Sequence, residues 1–181
     1  MDRYVALLRG IAPSQPNMRN DKLREVFTEL GFEAVGSVLS SGNIVFSTSG
    51  GTSAAALEDT IQNGLRERLG IAGGTIVRSR AQLETLFTST TVFDGLTHGK
   101  ATYLTATFLK EPPSTTVTPL PQPPDPAMQV MGYDASANVV LASTDTTGST
   151  TPDFMSWLES TFGKDITTRT WLTVERILKK L

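Results

Sequence analysis

Residues 34–48 read Ala34-Val35-Gly36-Ser37-Val38-Leu39-Ser40-Ser41-Gly42-Asn43-Ile44-Val45-Phe46-Ser47-Thr48, and this stretch decides the fold. Two apolar, β-branched runs, 34–39 and 43–48, are separated by three small residues. That is hairpin spacing, with Gly42 free to take the positive φ a tight turn needs. Helical periodicity brackets the hairpin. Before it, Leu23, Val26, Phe27 and Leu30 recur at i, i+3, i+4 and i+7 behind Asn20, an N-cap residue type, and Gly31 stands at the C-terminal end. After it, Leu57, Ile61, Leu65 and Leu69 mark one face of a second helix, whose interior Gly64 costs about 1 kcal/mol against alanine. Farther out, Tyr4–Leu8 and Thr75–Arg78 read as strands. The order is βαββαβ. It predicts an α+β chain whose residues 1–80 form a ferredoxin-like sandwich, an antiparallel sheet with helices on one face.

Residues 81–181 read as a smaller α+β subdomain. Ser79-Arg80-Ala81-Gln82 has capping-box spacing and opens a short helix with Leu83, Leu86 and Phe87 inward. Ala101–Leu109 alternates as a strand, and Met128–Met131 pairs with Asn138–Ala142 around Asp134-Ala135-Ser136. Seven of the ten prolines fall within 112–126, which predicts a stiff, exposed connector. Residues 143–151 are Ser, Thr, Asp and Gly alone, a solvated loop. Thr151-Pro152-Asp153 starts a helix bearing Phe154, Trp157, Leu158 and Phe162. A last amphipathic helix carries Trp171, Val174, Ile177 and Leu178 on one side and Glu175, Arg176 and Lys179 on the other, and Trp171 is expected to be mostly buried. No internal repeat is visible.

Composition closes several routes. The chain has 181 residues and a formal charge of −2, so it offers no polybasic surface to nucleic acid or anionic membrane. Its longest apolar run, Tyr4–Leu8, is too short for a membrane span or a signal-peptide core; cytoplasm is the expected location. With no cysteine and one histidine, His98, no metal site and no cofactor are expected, and no catalytic residue is assigned.

Three segments together carry a resemblance. Tyr4-Val5-Ala6-Leu7-Leu8-Arg9-Gly10-Ile11, Ser41-Gly42-Asn43-Ile44-Val45-Phe46 and Thr168-Arg169-Thr170-Trp171-Leu172-Thr173-Val174 resemble signatures of the bacterial domain-of-unknown-function 1697 family. Phe108-Leu109 followed by Pro112-Pro113 fits its middle. The resemblance implies an α+β fold with a ferredoxin-like first half and implies no reaction. The chain departs from the family pattern at Ala12, Pro13, Ser14 and Gln15, where Asn-Val-Gly-Gly is usual, at Thr170 and Leu172, where Asn is usual, and at Thr147-Gly148-Ser149-Thr150. Those departures put in question any ligand the family holds through these groups.

In a βαββαβ sheet the end of strand one meets the start of strand three, so Arg9 and Gly10 should meet Ser41, Gly42 and Asn43 beside the first helix's N-terminus. An Arg, free backbone N–H groups, a hydroxyl and an amide make a site for a small polar or anionic ligand. The other reading is that Gly10, Gly42 and Asn43 only shape turns while Arg9 pairs with a carboxylate. Arg169 and Trp171 form a second candidate, a charged fork beside a stacking face for a planar anion, unless Trp171 simply anchors the last helix. His98 reads as a solvated loop side chain. Ligand binding near Arg9 and Asn43 is therefore the leading functional expectation. The alternatives are an interaction or scaffold protein using its sheet face, and an RNA-binding module. The last would need exposed aromatics on the central strands, where only Tyr4 and Phe46 are on offer.

Overall fold

A computed structural model describes residues 1–113, 119–148 and 153–181. The chain divides into two compact units, one of residues 1–84 with 176–181 and the other of residues 85–175.

The first unit holds β1 (Asp2–Leu8), α1 (Asn20–Glu29), β2 (Glu33–Ser37), β3 (Asn43–Thr48), α2 (Ala54–Leu69) and β4 (Thr75–Ser79). The sheet order β2-β3-β1-β4, antiparallel throughout, is that of the ferredoxin-like sandwich. Pleat alternation explains the packing. Ala6, Leu8, Ile44, Phe46 and Val77 turn toward Leu23, Val26 and Phe27 of α1 and Leu57, Ile61 and Leu65 of α2. Aromatic rings fill the centre of this layer: Phe46 lies 4.6 Å from Phe32 and 5.5 Å from Phe27, with Tyr4 stacked on it at 5.7 Å. Strand β4 is a sheet edge, and the buried Glu58 of α2 accepts the Val77 amide at 2.8 Å in place of a strand partner.

One boundary differs from the sequence reading. Asn20 is the first residue of α1 and Arg19 its N-cap, with no side-chain cap bond. The Asn20 amide instead donates to the carbonyl of Leu39 at 2.7 Å, in the segment between β2 and β3. A long-range partner has outcompeted the local cap.

The second unit contains β5 (Thr102–Leu109), β6 (Met128–Asp134), β7 (Val139–Asp145), α4 (Phe154–Phe162) and β8 (Ile166–Thr170). Its order, β6-β7-β5-β8, is also antiparallel and repeats the first sheet strand for strand. The repeat invisible in the sequence is topological. Even the exits match: α3 (Arg80–Ser89) follows β4 directly and α5 (Trp171–Lys180) follows β8 directly. Ser79 Oγ accepts the Gln82 amide while Gln82 Oε1 accepts the Ser79 amide, the predicted capping box. At the second exit Thr170 Oγ1 accepts the Thr173 amide. Where the first unit places α1, the second has the proline-rich segment, part of which (114–118) lies outside the described residues. Its described part is not simply exposed. Pro123 is buried, Leu120 packs against the core of β6, β7 and α4, and Gln122 pairs with the amide and carbonyl of Val130 at 3.0 and 2.9 Å. Thr151 and Pro152 of the predicted helix start, and the end of the 143–151 loop, also lie outside the described residues.

Two predictions follow from this packing. Phe46 is fully buried among three aromatic rings, so Phe46→Ala should lower the unfolding free energy by about 3–5 kcal/mol in urea melts. At α4, the hydroxyl and amide of Ser156 hold the N-cap carboxyl of Asp153 below its ordinary value of 3.8. A carboxylate depressed in the folded state stabilises above 3.8, and that contribution fades as pH falls through its lower folded value. Hydrogen exchange at the Ser156 amide should therefore gain protection as pH rises through that range, after correction for intrinsic exchange, and Asp153→Asn should lack the transition.

Candidate functional site

Strands β3 and β4 both run against β1, so the end of β1 and the starts of β3 and β4 fall at one end of the first sheet. Backbone bonds stitch this end together. The Leu8 amide donates to Gly42 at 2.8 Å, the Arg9 amide to Gly74 at 2.9 Å and the Val38 amide to Asn43 at 2.9 Å. Two glycines are required by close approach. Gly42 has φ +79°, and a Cβ there would sit 2.7 Å from Ile11 Cγ1; at Gly73 a Cβ would run into the carbonyl oxygen of Arg9.

The expected residues thus share one end of the sheet, in different roles. Asn43 is fully buried, and its Nδ2 donates to the Val38 carbonyl at 3.0 Å and to Ser41 Oγ at 3.1 Å. It fastens the turn carrying Ser41 and Gly42. Arg9 is half-buried and Gly10 exposed, with φ +73°. A cavity of about 420 Å³ opens at the start of α1, lined by Pro13, Arg19, Asn20, Asp21, Arg24 and Ser40 among others, and not by Arg9 or Gly10. Arg19 and Asp21 form an ion pair at 3.3 Å, and Asp21's carboxyl lies below the usual range although desolvation opposes the shift: Arg19 and the first-turn amides favour the charged form. Among the described residues, two buried side-chain oxygens have no hydrogen-bond partner in the protein: Asn20 Oδ1 and Thr75 Oγ1. Both belong to this end of the sheet, Thr75 through its pairing with Leu8 and Asn20 through its bond to Leu39.

The opposite sheet face is no open platform. Val5, Leu7, Val45 and Ile76 point away from α1 and α2 and are buried. Tyr4 and Phe46 point into the helix-packed core, so neither offers the exposed ring that base stacking needs.

Arg169 and Trp171 lie in the second unit. Arg169 is half-buried on β8, where Nη1 donates to Thr167 Oγ1 at 2.8 Å and to the Thr168 carbonyl at 2.9 Å, and burial pushes its guanidinium down to about 10. Trp171 opens α5 largely covered, as its place on the apolar stripe predicts, with Phe87 and Phe93 packed on it, and it lines a second cavity. That cavity, about 390 Å³, is lined by Phe87, Phe93, His98 and Trp171 among others, and not by Arg169. His98, read in the sequence as solvated, is half-buried there and accepts the Leu104 amide at Nδ1, 3.1 Å away. No group of three or more His, Asp or Glu among the described residues could hold a metal ion, and no helix there is long and apolar enough to cross a membrane.

No curated protein matches the chain. Among solved structures, it is similar to the conserved bacterial protein SP0830 from Streptococcus pneumoniae, with a TM-score of 0.70 over 99% of this chain and 97% of that one. At 20% identity that likeness is one of fold. The family described as "Protein of unknown function (DUF1697)" matches residues 1–125, which contain the first two signature segments and the β1–β3–α1 junction they build. The chain belongs to the DUF1697 family.

Proposed function

We propose that the protein binds a small acid at the end of the first sheet, near Arg9 and Asn43, in the cavity at the start of α1. The observation that carries this reading is the buried, unpartnered oxygen of a residue that lines this cavity, Asn20 Oδ1. Leaving a buried polar atom unpaired costs about 1–3 kcal/mol, and a ligand donating a hydrogen bond to Asn20 removes that cost. Arg19 and Arg24 against Asp21 leave the lining with one net positive charge, which favours an acidic group. The ligand class is a small acid that also carries an O–H or N–H donor. Asn43 serves this site by holding the 38–42 turn rather than by touching the ligand.

Thermal-shift titration with glycolate and acetate tests both halves of the reading. Glycolate should stabilise the protein more than acetate at equal concentration, because only glycolate has the donor for Asn20. Arg24→Ala should weaken both acids about tenfold or more, the scale of one charge-assisted hydrogen bond. Asn20→Ala should erase the preference between them. Asn43→Ala should lower the melting temperature without any ligand, by the roughly 1–3 kcal/mol of its lost buried bonds. An absence of any shift with either acid removes the proposal. Binding that survives Arg24→Ala and disappears with Arg9→Ala moves the acid to the β1 exit.

A further inference from the structure

We propose that the cavity of the second unit is a separate binding site for a planar nitrogen heterocycle bearing an exocyclic amine. Its walls are aromatic. Trp171 stacks on Phe87 at 4.2 Å with 25° between the rings, and Phe93 meets Trp171 edge-on at 5.2 Å and 71°. A volume of about 390 Å³ suits one small ring system. Planar walls of this kind reward a planar guest through dispersion and offset stacking.

The polar groups of the lining set the guest's edge. His98 accepts the Leu104 amide at Nδ1, which fixes its neutral tautomer with the proton on Nε2. Among the described residues Nε2 has no partner, and His98 is one of the residues that line the cavity. Glu175 stands four residues after Trp171 on α5, which places ring and carboxylate on one helix face. Asp94 adds a second carboxylate to the lining, and neither carboxylate forms an ion pair among the described residues. No lysine or arginine lines this cavity. A planar anion would meet two negative charges with nothing to offset them. An amino-heterocycle matches instead: its exocyclic N–H groups donate to a carboxylate, its ring nitrogen accepts from His98 Nε2, and its face packs on the aromatic wall.

Adenine is the probe, and the chain has two tryptophans. Trp157→Phe leaves Trp171 as the sole indole reporter, while calorimetry on the unaltered protein measures the same binding without that substitution. Adenine should quench Trp171 saturably and give the same dissociation constant by calorimetry. Glu175→Gln and His98→Ala should each weaken it about tenfold or more; Glu175→Gln should keep the parent's melting temperature, whereas His98→Ala, which also strips the Leu104 amide of its acceptor, should lower it. Benzoate, a planar anion, should bind far more weakly. The proposal is overturned if adenine does not bind in the millimolar range. It is equally overturned if both variants bind adenine as the parent does, or if benzoate binds as well as adenine.

Discussion

Strand β1 is buried on both faces, and the sheet of the first unit is built around it. Val5, Ala6 and Leu7 are fully buried and Leu8 nearly so, although a two-layer sandwich would leave alternate residues wet. One face is covered by α1 and α2. On the other, Arg3 shares the side of Val5 and Leu7, and its guanidinium donates to the carbonyls of Leu181 at 3.1 Å and Lys180 at 3.0 Å. The last residues of the chain are thereby fixed to its first strand. A strand enclosed this way must be apolar without interruption, which is why its run of five apolar residues looks unlike an alternating strand. Flanked by antiparallel neighbours on both sides, it also brings three chain segments to one end, and that is where polar atoms are buried without partners.

The second unit has the same strand order with a different covering layer. With the proline-rich segment in place of a first helix, the core between sheet and α4 takes in Leu120 from that segment. Proline cannot extend a helix or donate to a ladder, so the segment lies along the sheet and uses Gln122 to satisfy the edge of β6. A connector by composition acts as edge protection by geometry.

Legibility in the sequence tracked the range of the interactions involved. The hairpin of 34–48, the helix of 54–69 and the capping box at Ser79 depend on neighbours a few residues apart, and each could be read directly. Strand β8 could not. Ile166-Thr167-Thr168-Arg169-Thr170 is short and mostly polar, and it passes into α5 with no glycine or proline between them, so periodicity sees only the helix. The choice of Asn20 to bond Leu39 rather than cap its own helix is a tertiary decision that no local rule contains. The second cavity was invisible for the same reason. Phe87, Phe93, His98 and Trp171 are separated by up to 84 positions and form no motif until the fold collects them.

The two cavities differ in local charge in a way the net charge does not express. A net charge of −2 is nearly neutral for 181 residues, yet it is a sum over unlike places. Two arginines and one aspartate line the cavity at α1, while an aspartate and a glutamate line the one at α5. Over a few ångströms such local differences outweigh a diffuse net charge, because screening in physiological salt removes contributions beyond about 8 Å. The field inside each cavity is therefore set by its own lining rather than by the sum, and opposite linings cannot both favour one charge type.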